Sequence, residues 1–99
     1  MNKYAIKLTL RNEDDFLDEW FMYHISLGFI NYIIYDDESS DNTKQIIRNY
    51  SKIVNIHYEE IDASKRTHFK LPWNFIQYTY ILNMDVDEFL YINENTNLD

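Results

Sequence analysis

From Tyr4 the chain runs Tyr-Ala-Ile-Lys-Leu-Thr-Leu to Leu10, with Lys7 and Thr9 alternating against apolar neighbours. A period of two in β-prone residues predicts a first strand, central in a sheet. Arg11 and Asn12 break it. Glu13, Asp14 and Asp15 then place acids where the first turn of a helix favours negative charge, and Asn12 stands where an N-cap is wanted. Phe16, Leu17, Trp20, Phe21, His24, Ile25 and Leu27 recur at three- and four-residue intervals, so this helix buries one face. Gly28 follows where a left-handed residue ends a helix.

Phe29 to Tyr35 is a nearly continuous apolar run and predicts a buried strand. The polar stretch from Asp36 to Thr43 leads into a second helix, with Ser39 or Ser40 as its cap and Ile46, Ile47 and Tyr50 as its inner face. Ile53 to Tyr58 predicts a third strand. Glu59 to Lys70 is polar and carries no clear period, and Trp73 to Gln77 reads as a short helical turn after Pro72. Tyr78 to Met84 predicts a fourth strand, and Phe89 to Ile92 a short fifth. Alternation of strands and helices in this order predicts an α/β fold with a mainly parallel sheet flanked by helices, formed by one domain over residues 1–99.

Composition narrows the functions open to such a domain. Hydrophobic residues make up 45% of the chain and aromatic residues 17%, enough for a core. A net charge of −8 disfavours nucleic acid or an anionic membrane as partner. The Lys65–Lys70 segment is the one local basic candidate. No cysteine is present, which excludes disulfide and thiolate chemistry and leans toward a reducing compartment such as the cytoplasm. No signal peptide and no transmembrane run is visible, so the chain reads as soluble.

In a parallel sheet, ligands bind beyond the carboxyl ends of the strands. Three polar clusters are expected there: Arg11-Asn12-Glu13, Asp36 to Asp41, and Asp85-Val86-Asp87-Glu88. In extended chain Asp85 and Asp87 would point the same way, with Val86 turned to the core. Two such carboxylates either hold a hard cation such as Mg²⁺ or Mn²⁺ or close a strand as a solvated acidic turn. Asn12 either caps the first helix or meets a base or phosphate, and Arg11 pairs either with phosphate or with a neighbouring acid. Asp36 and Asp37 either accept hydrogen bonds from a uracil N–H or ribose hydroxyls or close an Asx-type turn. Asp41 is assigned to the helix N-terminus, and His24 to a core hydrogen bond. Neither His57 nor His68 has a partner at zinc-ligand spacing, no serine has a histidine at triad spacing, and no P-loop or dinucleotide fingerprint occurs.

Taken in order, Arg11-Asn12-Glu13, Glu19-Trp20, Tyr23-His24, Leu27-Gly28, Tyr35-Asp36-Asp37, Ser39 or Ser40, Asp41-Asn42-Thr43 and Asp85-Val86-Asp87-Glu88-Phe89 resemble GT-A glycosyltransferases, and within them the family-2-like group. The resemblance covers residues 4 to about 92. It implies a Rossmann-like half-domain that binds a nucleotide-diphosphate sugar, a UDP-sugar, for transfer of a hexosyl group to an acceptor. By this likeness Arg11, Asn12, Glu13, Asp36, Asp37 and Asp85 are expected to bind the nucleotide-sugar. Asp85 and Asp87, as a D-x-D motif, are expected to hold Mn²⁺ or Mg²⁺ against the diphosphate. The segment before the D-x-D is shorter than in the family. The acceptor half and the general base have no counterpart in these residues. The alternatives are a non-catalytic donor-binding module and a structural fragment that associates with itself or with a missing C-terminal half.

Overall fold

The computed structural model describes residues 3–62, 64 and 78–91. Four strands form one sheet: β1 (Tyr4–Leu10), β2 (Asn31–Asp37), β3 (Asn55–Ile61) and β4 (Tyr80–Met84), in the order β3-β2-β1-β4. Every pairing is parallel. Helices α1 (Leu17–Ser26) and α2 (Thr43–Tyr50) connect β1 to β2 and β2 to β3. The expected α/β class with a parallel sheet is what the chain forms.

Alternation along β1 decides which side chains meet the helices. Tyr4, Ile6, Leu8 and Leu10 share a core with Tyr32 and Ile34 of β2, Leu17, Trp20 and Phe21 of α1, and Ile47 of α2. Both helices therefore cover one face, as follows when two successive crossovers of the same hand step along the sheet in one direction. The opposite face buries Ala5, Ile33 and Tyr35. Phe21 and Trp20 each meet the Tyr32 ring edge-on, with centroids 5.3 and 5.7 Å apart. Burying a large apolar side chain contributes about 1.5–3 kcal/mol, so this aromatic cluster anchors α1. Tyr50 stacks on Phe21 and its hydroxyl donates to the Asp18 carboxylate, which ties the two helices together.

Gly28 has a φ of 99°. Its N–H donates to the Ile25 carbonyl and that of Phe29 to the His24 carbonyl, the paired bonds that close a helix with a left-handed residue.

Several boundaries differ from the sequence expectation. Helix α1 starts at Leu17 rather than at the acidic stretch: Asn12 adopts a φ of 51°, and Glu13 to Phe16 form a turn that leads into the helix, with the N–H groups of Phe16 and Leu17 both on the Glu13 carbonyl. Strand β3 runs on through Glu59 and Glu60 to Ile61, paired with Tyr35, Asp36 and Asp37. An edge strand tolerates such polar residues because one side is open to water. Phe89 to Tyr91 form no strand. The expected turn at Trp73–Gln77, the basic Lys65–Lys70 segment and Ile92 lie outside the described residues.

Candidate functional site at the carboxyl rim of the sheet

With all four strands parallel, the segments after β1, β2, β3 and β4 leave from one edge. The first two interlock. Asn12 donates its N–H to Ser39 Oγ at 2.9 Å and receives the N–H groups of Ser40 and Asp41 on its side-chain oxygen at 2.8 and 3.3 Å. Glu13 N–H donates to Thr43 Oγ1, Asp14 N–H to Asp41, and Asn42 N–H back to Asp14. Asn12 is thus neither a helix cap nor a free amide. Its left-handed backbone turns the loop so that it clasps the neighbouring one, a conformation asparagine tolerates well. Ser39 and Ser40 are drawn into this clasp, and the residue at the α2 N-cap, Asn42, makes no side-chain cap bond. Asp41 instead accepts the Thr43 N–H, as expected of it. Burial pushes the Asp41 carboxyl up, but hydrogen bonds from Thr43 and Asp14 outweigh that and hold it below its ordinary value.

Asp36 is fully buried. One oxygen accepts the Ser39 N–H at 3.0 Å and the other the Tyr58 hydroxyl at 2.6 Å. Its visible role is to fix the loop after β2. Burial, then the Asp36 carboxylate, push the Tyr58 hydroxyl well above its ordinary range. Asp37 is half-buried at the rim, and its carboxylate lies within 4.8 Å of those of Glu38 and Asp62. Sequence reasoning places Glu38 in the cluster after β2 without a role of its own, and misses Asp62. The signal was the position of Asp62 just past β3, hidden by placing that strand's end at Tyr58.

After β4 the D-x-D departs from extended chain. Residues 85–88 form a turn in which Glu88 N–H donates to the Asp85 carbonyl at 3.0 Å and the Glu88 carboxylate accepts the Asp85 N–H at 2.7 Å. The strand alternation expected to turn Asp85 and Asp87 the same way is therefore absent, because the chain turns here. Val86 is buried, as expected, and leaves its two acidic neighbours exposed. Beyond the turn, α1 takes hold: Trp20 Nε1–H donates to the Glu88 carbonyl at 3.0 Å, Leu90 N–H to His24 Nε2 at 3.1 Å, and the Tyr23 hydroxyl to the Leu90 carbonyl at 2.7 Å.

Between β1 and β4 lies a cleft of about 460 Å³ lined by Leu10, Glu13, Phe16, Asp85, Val86 and Asp87, among others. This is where strand order reverses, since β2 and β3 continue to one side of β1 and β4 lies on the other. Partial burial, and after it Asp87, Asp41, Asp15 and Asp85, raise the Glu13 carboxyl above its ordinary value. Glu13, Asp85 and Asp87 offer hard carboxylate oxygens to one cleft, the donor type that Mg²⁺ and Mn²⁺ take, while the described acids whose ligand atoms all lie within 4.8 Å of one another are Asp37, Glu38 and Asp62. Arg11 is exposed on the loop that begins this rim. The structure thus brings Asn12 and Glu13 against the loop after Asp36, and places Glu13, Asp85 and Asp87 around one cleft.

The chain is 42% identical over 46 residues, 46% of its length, to a glycosyltransferase family 92 protein of Ricinus communis, of which those residues make up 8%. The chain spans less than a tenth of that relative. The similarity is to a glycosyltransferase, and it names a different family from the family-2-like group that the motifs resemble. No family model matches the chain, and no solved structure matches it. Among the described residues, no helix is long and apolar enough to cross a membrane.

Proposed function

We propose that this chain carries the donor-binding half-domain of a metal-dependent glycosyltransferase, which takes a nucleotide-diphosphate sugar, a UDP-sugar, for transfer of its hexosyl group. The observation that carries this reading is the meeting of Glu13 with Asp85 and Asp87 in one cleft at the switch point of a parallel sheet. The similarity to a glycosyltransferase points to the same class.

In this reading Asp85 and Asp87 hold Mn²⁺ or Mg²⁺, with Glu13 beside them. The bound cation supplies Lewis-acid stabilisation of the charge on the departing nucleoside diphosphate. Arg11 offers a guanidinium to the phosphates, and Asp37 a carboxylate to the ribose hydroxyls. Asn12 and Asp36 act by shaping the loops against which the nucleoside lies.

Calorimetric titration with UDP in the presence and absence of Mn²⁺ tests the proposal. Binding is expected only with the metal and is expected to be lost in Asp87→Asn. UDP binding that ignores both metal and substitution would remove the reading, as would no binding at all.

A further inference from the structure

We propose that α1 is the positioning element of the D-x-D turn, and that His24 is the residue through which it acts. The consequence for ligand binding rests on the donor-binding reading above; the mechanical claim does not.

The turn is fixed at both ends. On its amino side, Met84 pairs with Leu8 in the sheet. On its carboxyl side the chain leaves regular structure, and its peptide groups need partners other than a ladder. Three side chains of α1 supply them. Trp20, Tyr23 and His24 stand at i, i+3 and i+4, one face of a helix. Trp20 holds the Glu88 carbonyl, while His24 and Tyr23 hold the N–H and the carbonyl of Leu90. The Phe89 ring lies nearly parallel to the imidazole, with centroids 5.9 Å apart, and edge-on to Tyr23.

The bonding of His24 is directional. The imidazole is fully buried, and its Nδ1 lies 2.9 Å from the Trp20 carbonyl, one turn back. Because Leu90 N–H is a donor, Nε2 must present its lone pair, which places the ring proton on Nδ1. A histidine satisfied by its own helix alone would fill the core equally well. This one commits its second nitrogen to a residue 66 positions away, three past Asp87. Ligand constellations tolerate errors of only about 0.5 Å, so the grip on residues 88–90 sets whether Asp85 and Asp87 face Glu13.

The test compares wild type, His24→Leu and His24→Gln. The glutamine amide oxygen can still accept the Leu90 N–H, whereas leucine cannot. In metal-free protein, amide exchange at residues 85–90 is expected to quicken about tenfold in His24→Leu, with β1 and β2 unchanged, and to recover in His24→Gln. Affinity for Mn²⁺ alone, read by water proton relaxation, is expected to fall about tenfold in His24→Leu and to return in His24→Gln. Unchanged exchange at 85–90 overturns the proposal, and so does faster exchange throughout the sheet. If His24→Leu does not fold, Tyr23→Phe removes only the hydroxyl on the Leu90 carbonyl, and the same selective change is expected or the proposal fails. A wild type that binds no Mn²⁺ removes the donor-binding reading and leaves the exchange measurement to decide this one.

Discussion

The side-chain oxygen of Asn12 accepts the backbone N–H of Ser40 at 2.8 Å, while the Asn12 N–H donates to Ser39 Oγ at 2.9 Å. Two loops that carry candidate ligand contacts are fastened by this reciprocal pair. Asn12→Ala removes the acceptor and places a Cβ-bearing residue without a local hydrogen bond at a φ of 51°. A loss of roughly 1–3 kcal/mol is expected, read from the urea midpoint. Asn12→Gly relieves the backbone but not the acceptor, so its loss should be the smaller of the two. Equal losses would show that the left-handed backbone contributes nothing.

Tyr58 donates to the buried Asp36 across the β2–β3 pair. Tyr58→Phe leaves one carboxylate oxygen without its partner, at an expected cost of about 1.5–3 kcal/mol for a bond to a charged group. Since Asp36 also accepts the Ser39 N–H, the variant should loosen the loop after β2, visible as faster amide exchange at Ser39. A melting temperature equal to wild type would count against this role.

Much of the fold was legible because the two periods are clean. Leu17, Trp20, Phe21 and His24 recur at helical spacing and are all buried on α1. Tyr4, Ile6 and Leu8 alternate and face those same residues. The boundaries were less legible wherever polar side chains answer to a distant loop rather than to their neighbours. Asn12, Ser39 and Ser40 look like caps by local rules, yet they bond across the rim. The D-x-D looks like extended chain by local rules, and the paired bonds between Asp85 and Glu88 show why it turns. The grip of Trp20 and His24 on residues 88–90 spans more than sixty positions, beyond the reach of any window-based pattern.

His24 makes stability depend on pH. Burial lowers its pKa from the ordinary 6.5, with the Trp20 carbonyl acting in the opposite sense. The aromatic rings packed on it, Trp20, Tyr23, Phe29 and Phe89, bring no charge at neutral pH. Below about 6.5 the unfolded chain binds a proton that the fold resists, so this contribution is complete above that pH and is lost as pH falls through the lowered folded value. Urea midpoints from pH 7.5 to 5 should drop further in wild type than in His24→Gln. Parallel pH profiles would show that His24 does not titrate between the two states.

Bound Mn²⁺ should stabilise the folded chain. At roughly 100 times its dissociation constant a ligand adds about 2.7 kcal/mol, a rise in Tm of about 10 °C or more for a domain of this size. Chelation should reverse the rise, and the pair Asp85→Asn with Asp87→Asn should abolish it. A shift that survives both substitutions would move the cation to another carboxylate group, with Asp37, Glu38 and Asp62 the next to test.

The placement of β4 beside β1 also predicts an order of folding. Strands β1 to β3 join through short successive crossovers, whereas pairing Tyr4 with Tyr80 brings together residues far apart in sequence. Docking of that last strand carries Asp85 and Asp87 toward Glu13, so like-charge repulsion opposes the final step. Added electrolyte should accelerate this step, with divalent cations acting at lower concentration than monovalent ones. Among the described residues, the acidic cleft is then expected to take shape last.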